Sequence, residues 1–367
     1  MDLAGITPYM PQTGERDDIG LVTELQAEYL CTGSNVALTS LMAQLEGSGT
    51  LMWHYRDEKT SAPLDIYTYP TATSYSPNGA SPYIPWAVGT TGIELDTSHE
   101  PDLGYVPFLL TGDPYALEEL QFTVTYNVIK QPFAYRGSFN ITGAVRAHAW
   151  ALRTLVNAAT ATPDAVPAWL KPRAYFKKML DANRDWMLTK FVNNPKAPFA
   201  TLDVMSDAEG SPAVGNVAAD CAIAPWMEDF EAAALGWAVL LGHRDWMPIL
   251  AWKMKCTIAR TNGTSGWNRS TPVAYWMGIR ASKDLPYLSW AECWALNVKL
   301  GVVKESDPAH LSTDPTYPSY ALGALAIASA VGVPEAKPCY DWLRGEIVAQ
   351  TSRGRPIRRK WSIAAAA

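Results

Sequence analysis

The sequence predicts a mostly α-helical protein that is built from repeated helix hairpins. Two segments, residues 28–38 and 107–117, carry Leu, Thr-Gly and a later Ala-Leu at the same offsets, and residues 237–246 carry a looser copy. Apolar residues recur at helical spacing around these copies. The 15 Trp and 17 Tyr supply ample apolar surface for a packed core, which argues against disorder over the whole chain.

The glycine in each copy explains why the backbone turns there. Gly33, Gly112 and Gly242 each follow an apolar helical stretch, and a left-handed conformation just past a helix end costs little only for glycine. In the second copy Asp113 is placed to cap the returning helix, and Pro114 takes its first position, where a missing N–H costs nothing. Each copy is therefore predicted to be two antiparallel helices joined by a short loop.

Further helices are predicted where apolar residues keep a helical period without the full hairpin pattern. They are residues 144–159, 169–192, 225–241, 247–259, 289–299, 321–330 and 337–348. With the hairpins this makes roughly ten to twelve helices, paired antiparallel. Three stretches without a helical period, residues 50–98, 199–220 and 261–285, are predicted to be long aromatic-rich loops, with short strands around residues 51–55.

Helix hairpins joined by long aromatic loops favour an α/α toroid or barrel, in which paired helices form concentric rings and the loops on one face make a cleft. A solenoid is the alternative, but the copies are spaced too irregularly for a regular array. We expect one such domain over residues 1–352. Residues 353–367 are expected to form a flexible basic tail, which is either solvated or in contact with an acidic partner or subunit.

The composition limits the classes of partner and cofactor. A formal net charge of −6 argues against a general nucleic-acid binder. The longest apolar run, residues 321–333, is too short to span a bilayer, and the N-terminus shows no signal-peptide pattern. We therefore expect a soluble protein, either cytoplasmic or exported or virion-associated in a mature form. Five scattered cysteines without a C-x-x-C pair indicate buried thiols, and the sequence predicts no metal site and no cofactor.

Four segments resemble recurrent motifs of uncharacterised bacterial and phage-associated proteins. They are residues 14–20, 54–57, 96–113 and 146–153, the third of which begins Asp-Thr-Ser-His-Glu-Pro-Asp-Leu-Gly-Tyr. In layout the protein resembles the α/α-toroid polysaccharide lyases and glycoside hydrolases. That resemblance implies a polysaccharide substrate and, in the lyases, a His or Tyr base beside Asn and Arg. No position is carried over from these families residue by residue.

His99 and Glu100 are the first candidates for acid–base catalysis. Pro101 suits the first position of a helix, so Glu100 is predicted to cap that helix and Asp102 to fall in its first turn. Capping alone is one interpretation, and the functional one is that His99 and Glu100 line a cleft. Tyr105 is either a proton donor or a core tyrosine.

Arg146, Trp150 and Arg153 recur at helical spacing and therefore share one face of a helix. An arginine beside an indole suits a sugar, because the ring stacks and the guanidinium binds a carboxylate or hydroxyl. Arg146 is thus a catalytic candidate, and Trp150 and Arg153 are substrate-binding candidates. His148 lies on another face, where it is either an inward-facing core histidine or a second candidate base.

Two carboxylates and three loop or helix-end residues complete the candidate set. Asp18 and Glu228 are candidates for a general acid or base, with helix capping as the alternative for each. His54 and Arg56 lie in the first aromatic loop and are predicted to bind substrate, or else to hold a turn. Trp226 is predicted to bind substrate from the start of a helix.

These candidates predict a carbohydrate-active enzyme that cleaves a bacterial polysaccharide, as a lyase or as a glycoside hydrolase. In a lyase, Arg146 would neutralise a uronate carboxylate while a base takes the proton; the candidate bases are His99, His148 and Tyr105. In a hydrolase, two carboxylates would act as acid and base; the candidates are Asp18, Glu100, Asp102 and Glu228. The alternative is a non-catalytic virion or surface protein that binds a glycan or a neighbouring subunit, with the basic tail joining a homo-oligomer or a particle.

Overall fold

A computed structural model describes residues 6–7, 9–11, 18–75, 83–84, 93–131, 140–141, 144–194, 199–200, 221–282, 284–305 and 316–352. These residues are mostly helical. They contain eleven α-helices, a π-helix, a 3-10 helix and one pair of two-residue strands. This confirms the predicted mostly α-helical class.

The helices and strands follow one another in a simple order. The first six helices are α1 (Glu24–Thr32), α2 (Asn35–Ser48), α3 (Tyr105–Thr111), α4 (Pro114–Ile129), α5 (Val145–Ala161) and α6 (Arg173–Met187), and the π-helix Leu188–Val192 continues α6. The remaining elements are β1 (Ala222–Ile223), α7 (Pro225–Leu240), the 3-10 helix Arg244–Trp246, α8 (Met247–Thr261), β2 (Met277–Gly278), α9 (Trp290–Lys299), α10 (Tyr317–Ala330) and α11 (Ala336–Ser352).

The two clearest predicted hairpins are present. Gly33 and Gly112 adopt the left-handed conformation, with φ of 67° and 69°, just past α1 and α3. The side chain of Asp113 accepts a hydrogen bond from a backbone N–H of α4, and Pro114 begins that helix as predicted. In the looser third copy Gly242 has a φ of 101°, and the 3-10 helix separates α7 from α8.

One predicted helix, residues 169–192, begins later than predicted. α6 starts at Arg173, directly after Pro172. A proline disfavours helical backbone in the residue before it, so the helix cannot easily extend back towards residue 169. At the other end the helical path ends at Val192, as predicted, although its last turn is π-helical.

The short strands predicted around residues 51–55 were wrong. This part of the described sequence forms turns, in which the N–H of Leu51 donates to the carbonyl of Ser48 and the N–H of Tyr55 to that of Trp53. Leu51 and Trp53 are buried. Trp53 of this loop is therefore part of the core of unit 1 and does not belong to a strand.

The protein divides into two compact units. Unit 1 comprises Met1–Thr142 with Trp150–Trp186, and unit 2 comprises Gly143–Ala149 with Met187–Ala367. One domain over residues 1–352 stays a prediction. The basic tail predicted at residues 353–367 lies outside the described residues.

The core of unit 1 joins the first aromatic loop, α4 and the segment that leads into α3. Its buried members are Ile6, Met10, Leu51, Trp53, Leu95, Leu103, Phe122 and Tyr126. Gly104 permits the close approach of that segment to α4, because a Cβ at this position would lie 2.9 Å from the backbone nitrogen of Leu120. The residues just before α3 are thereby held against α4.

In unit 2, α7 packs against α8 and α10, and α10 packs against α11. β1 and β2 pair antiparallel, with Ala222 opposite Gly278 and Ile223 opposite Met277. Four of the five cysteines of the protein are buried as predicted, whereas Cys31 is exposed, and none of them forms a disulfide. No helix in the described ranges has both the length and the apolar character needed to cross a bilayer.

Candidate active site

A histidine–aspartate pair lies in residues 93–104, the segment that leads into α3. The carboxylate of Asp96 accepts a hydrogen bond from the N–H of Ser98 at 3.0 Å, and the backbone carbonyl of Asp96 accepts one from the N–H of His99. This turn places the other carboxylate oxygen 2.5 Å from Nδ1 of His99. An ionised carboxylate can only accept, so Nδ1 then carries the proton and Nε2, which is buried in this conformation, is the nitrogen left to accept one.

The pair lies near the surface of unit 1, together with a lysine. The side chain of Asp96 is 26% exposed and that of His99 is 7% exposed. Lys130, at the end of α4, is half-buried, and the carboxylates of Asp96 and Glu94 interact with it electrostatically. Burial lowers the pKa of Lys130 to about 8, although the two negative charges oppose this shift. An amine that titrates near neutral pH suits proton transfer.

We expect Lys130 to make the folded protein more stable as the pH rises from about 8 towards 10.5. Below pH 8 the lysine is protonated in both states, so the cost of burying its charge is fully present. Above that pH the folded state loses the proton, while the unfolded state, with a pKa near 10.5, still binds it. Between about pH 7 and about pH 10, the free energy of unfolding measured in urea should therefore rise more for the wild type than for Lys130→Met. Equal pH dependence in the two proteins would rule out the lowered pKa.

Glu100 is fully buried beside the pair. The side-chain amide of Asn127, from α4, donates a hydrogen bond to its Oε1. Burial raises the pKa of Glu100 well above its usual range, which outweighs the opposing effects of Arg153 and Asn127; Asp102 and Asp96 raise it further. A buried carboxyl with a raised pKa favours its protonated form, as a general acid requires.

The prediction that Glu100 caps a helix was wrong. α3 begins at Tyr105, and Asp102 accepts hydrogen bonds from the N–H groups of Gly104 and Tyr105, at 3.2 and 3.0 Å. Asp102 thus precedes α3 and stabilises the start of the helix, which is the role that was predicted for Glu100. Glu100 instead turns inward, where the amide of Asn127 donates a hydrogen bond to one oxygen of its carboxyl.

Arg153 and Trp150 do not form the exposed sugar platform that their spacing predicted, because both side chains are fully buried in unit 1. The guanidinium of Arg153 lies 5.3 Å from the centroid of the Trp150 ring. It donates hydrogen bonds to the backbone carbonyl of Gly20 and, at 3.2 Å, to that of Glu100. Arg153 therefore holds the backbone of the candidate site in place.

His148 and Glu228 both belong to the interior of unit 2. Nδ1 of His148 lies 2.8 Å from a carboxylate oxygen of Glu231, and both residues are fully buried. This agrees with the interpretation of His148 as an inward-facing core histidine. Glu228 pairs with Lys253, which is equally buried. In this conformation neither residue presents a surface to a substrate.

His54 and Arg56 tie the first aromatic loop to α4. Nε2 of His54 lies 2.7 Å from a carboxylate oxygen of Glu119, and Arg56 donates to Glu118 at 2.8 Å. The side chain of His54 is 28% exposed and that of Arg56 is 40% exposed. These ion pairs match the turn-holding interpretation, and the substrate-binding role stays a prediction.

Tyr105 and Asp18 are both buried in unit 1. Burial, with a smaller effect of Asp102, raises the pKa of Tyr105 to about 12, so its phenol stays protonated at neutral pH. This environment is that of the predicted core tyrosine. A carboxylate oxygen of Asp18 accepts a hydrogen bond from the N–H of Thr7 at 3.3 Å. The roles of Tyr105 as proton donor and of Asp18 as acid or base stay predictions.

Arg146 and Trp226 meet in unit 2. The guanidinium of Arg146 lies over the indole of Trp226, 5.3 Å from the ring centroid. Arg146 is half-buried and Trp226 is 6% exposed. Arg146 therefore pairs with Trp226, whereas the indole of Trp150 is paired with Arg153 in the interior of unit 1.

The structure thus joins His99 and Glu100 with residues that the sequence interpretation missed. Asp96 could have been found, since an aspartate three residues before a histidine in Asp-Thr-Ser-His can close a turn onto it. The role of Lys130 could not be predicted, because a single polar residue at the end of an apolar helix is common in any sequence. Asn127 resembled any other position of the buried helix α4.

Within the described residues, no three His, Cys, Asp or Glu side chains converge so as to hold a metal ion. Comparison of the sequence with models of protein families, with curated proteins and with solved structures finds no match. What the protein does has therefore to be argued from the geometry of its own residues.

Proposed function

We propose that the protein is a carbohydrate-active enzyme that cleaves a polysaccharide by acid–base catalysis at the Asp96–His99 pair. The observation that carries the proposal is the 2.5 Å contact between His99 Nδ1 and Asp96 at the edge of unit 1, with Lys130 and Glu100 close by. A carboxylate that orients an imidazole is a common arrangement for proton transfer in enzymes. As part of the same proposal, the helices form an α/α toroid.

In the lyase version, His99 or the amine of Lys130 takes the proton next to a uronate carboxylate. The amine of Lys130, whose pKa is lowered to about 8, suits this step, since a base works best when its pKa lies near the working pH. Burial raises the pKa of Glu100, which favours the protonated carboxyl, and in that form it can donate a hydrogen bond to developing negative charge. Asp96 keeps the imidazole in one tautomer throughout.

In the hydrolase version, Glu100 is the general acid that protonates the glycosidic oxygen. Its raised pKa favours this role at neutral pH, and a second carboxylate then acts as base or nucleophile. Asp96 and Glu94 are the carboxylates of the same segment that remain partly exposed. The hydrolase version requires a conformation in which the substrate reaches Glu100, which is fully buried in this one, whereas the lyase version requires the substrate to reach His99, which is 7% exposed, or the half-buried Lys130.

A panel of purified polysaccharides separates these versions. The protein is incubated with alginate, polygalacturonate, hyaluronate and xylan, and the reaction is followed by new reducing ends and by the ultraviolet absorbance of unsaturated uronate ends. A lyase raises both signals, and a hydrolase raises only the reducing ends. The control is the Asp96→Asn, His99→Ala protein at the same concentration. If every polymer keeps its length and both signals stay at the level of this control, the catalytic proposal is wrong.

A second candidate, a non-catalytic protein that binds a neighbouring subunit, is supported by exposed apolar side chains in unit 1. Leu30, Val36 and Leu109 are 51, 77 and 58% exposed, at the turns of the first two hairpins. Exposed apolar side chains indicate a surface that a partner covers where they form one contiguous patch. Light scattering during size-exclusion chromatography tests this candidate for self-association. A concentration-dependent mass that Val36→Asp and Leu109→Asp both lower would favour it.

A further inference from the structure

Three aromatic rings of unit 2, those of Trp226, Tyr275 and Tyr317, lie close together with nearly parallel planes. The ring centroids of Trp226 and Tyr317 are 5.5 Å apart with an interplanar angle of 11°. Tyr275 lies 6.0 Å from Trp226 and 5.9 Å from Tyr317, at angles of 27° and 24°. These near-parallel rings, which we call the aromatic platform, come from α7, from the start of α10 and from the loop before β2.

Several contacts fix the orientation of the platform. The indole N–H of Trp226 donates to the backbone carbonyl of Tyr275 at 3.1 Å, which ties the loop to α7. Trp276 packs its edge on Tyr275 at 5.5 Å, and Phe230 packs its edge on Trp226 at 5.3 Å. The rings are therefore held in place before any ligand arrives, and a ligand that stacks on them loses little of its binding energy to ordering them.

The platform is open at one ring only. Trp226 and Tyr317 are each 6% exposed, whereas Tyr275 is 47% exposed. A single exposed tyrosine is ordinary, but this one has two rings stacked against it and a backbone carbonyl fixed by the indole. Tyr275 is thus a partly exposed ring that its neighbours hold in place, and such a ring can stack on the flat apolar face of a sugar.

A positive charge accompanies the rings. The guanidinium of Arg146 lies 5.3 Å from the centroid of Trp226 and is half-buried at the first turn of α5. Guanidinium groups bind carboxylates in a planar two-point geometry, and stacking on an aromatic ring holds the plane of the group. The site therefore combines an apolar face for a ring with a cation for a carboxylate.

We propose that the aromatic platform is a binding site for an acidic sugar, with Tyr275 stacking on the pyranose ring and Arg146 binding the uronate carboxylate. The inference rests on the proposed function in that it assigns the substrate class, a uronate polymer. It does not require that unit 2 perform any chemistry. Binding at the platform can therefore be measured without turnover.

Calorimetric titration with hexasaccharides of galacturonate, mannuronate and hyaluronate tests the site in the full-length protein. We expect at least one acidic hexamer to bind, with cellohexaose at least tenfold weaker. Tyr275→Ala is expected to weaken binding roughly tenfold, as the loss of one aromatic stack predicts, and Tyr275→Phe to retain most of it. Arg146→Gln should bring the affinity for the acidic hexamer down to that for cellohexaose. Tyr75→Ala is the matched control, because Tyr75 is an exposed tyrosine of unit 1.

The outcomes separate this inference from the proposed function. The His99→Ala protein should bind the acidic hexamer as tightly as the wild type does, even where it cleaves nothing. The inference is overturned if none of the acidic hexamers binds, if Tyr275→Ala binds as well as Tyr75→Ala, or if cellohexaose binds as tightly as the acidic hexamer. Because Tyr275 is half-exposed, its substitution should leave the circular dichroism spectrum unchanged, and Tyr275→Phe guards against a loss of fold.

Discussion

Replacing His99 by alanine is expected to lower kcat on the cleaved polysaccharide by a factor of about 10² to 10⁴, the usual contribution of one positioned acid or base. The physical reason is that, in the proposed mechanism, Nε2 exchanges the proton while Asp96 holds Nδ1 of the same ring at 2.5 Å. KM should change little, because the imidazole acts on the transition state more than on the bound sugar. Initial rates over a range of polymer concentrations measure both constants.

The control for this variant is His243→Ala, a half-buried histidine of unit 2. Its rates should equal those of the wild type. The melting temperature of the His99→Ala protein has to be measured as well, since His99 also takes part in the turn before α3. A His99→Ala protein that is folded and as active as the wild type would remove His99 from the mechanism and leave Lys130 as the candidate base.

Replacing Asp229 by alanine is expected to destabilise the protein by about 3–5 kcal/mol, the cost of leaving one partner of a buried ion pair alone. Its carboxylate accepts hydrogen bonds from Arg260 at 2.5 Å and from the hydroxyl of Thr257 at 2.8 Å. The side chains of Asp229 and Arg260 are both fully buried. Burial lowers the pKa of Arg260, but Asp229 more than offsets this, so the pKa lies above its ordinary value and the guanidinium stays charged. Without Asp229, that charge would remain in the interior of unit 2 with a carbonyl of Pro272 as a weaker partner.

Urea unfolding followed by circular dichroism measures this loss. The matched control is Asp341→Ala, which removes an exposed ion pair to Lys337 at 2.7 Å in α11 and should change the free energy of unfolding by less than about 1 kcal/mol. If Asp229→Ala destabilised the protein no more than Asp341→Ala does, the buried pair would contribute nothing to the fold. Arg260→Met tests the same pair from the other side, and should cost less in combination with Asp229→Ala than the two changes cost separately.

The hairpins could be predicted from the sequence because their signals are local. Gly33 and Gly112 act on the turn in which they lie, and Asp113 caps the helix that begins beside it. A local rule fails where two residues compete for the same role. Glu100 was predicted to cap α3 and Asp102 to lie in its first turn, but Asp102 binds the N–H of Tyr105 and Glu100 turns inward to the buried amide of Asn127.

The candidate site was harder to predict because its partners are far apart in the sequence. Arg153 binds the carbonyl of Gly20, and Asn157 donates to Asp102 at 2.8 Å, pairs that no periodic pattern of apolar residues reveals. The spacing of Arg146, Trp150 and Arg153 correctly placed them on one helix. It could not show that Arg153 and Trp150 are buried while Arg146 lies over Trp226. Burial of a charged side chain depends on what the rest of the fold supplies as its partner.

The central claim is that Asp96 and His99 act as one acid–base unit on a polysaccharide. The most direct test is a double-mutant cycle in kcat/KM, with Asp96→Asn, His99→Gln and the combined variant, on the polymer that the wild type cleaves. If the carboxylate works only by orienting and charging the imidazole, the combined variant should be about as slow as His99→Gln alone. Two results would contradict the account by showing that the residues do not act together. One is that the losses in kcat/KM of the two single variants multiply in the combined variant, and the other is that Asp96→Asn is as fast as the wild type.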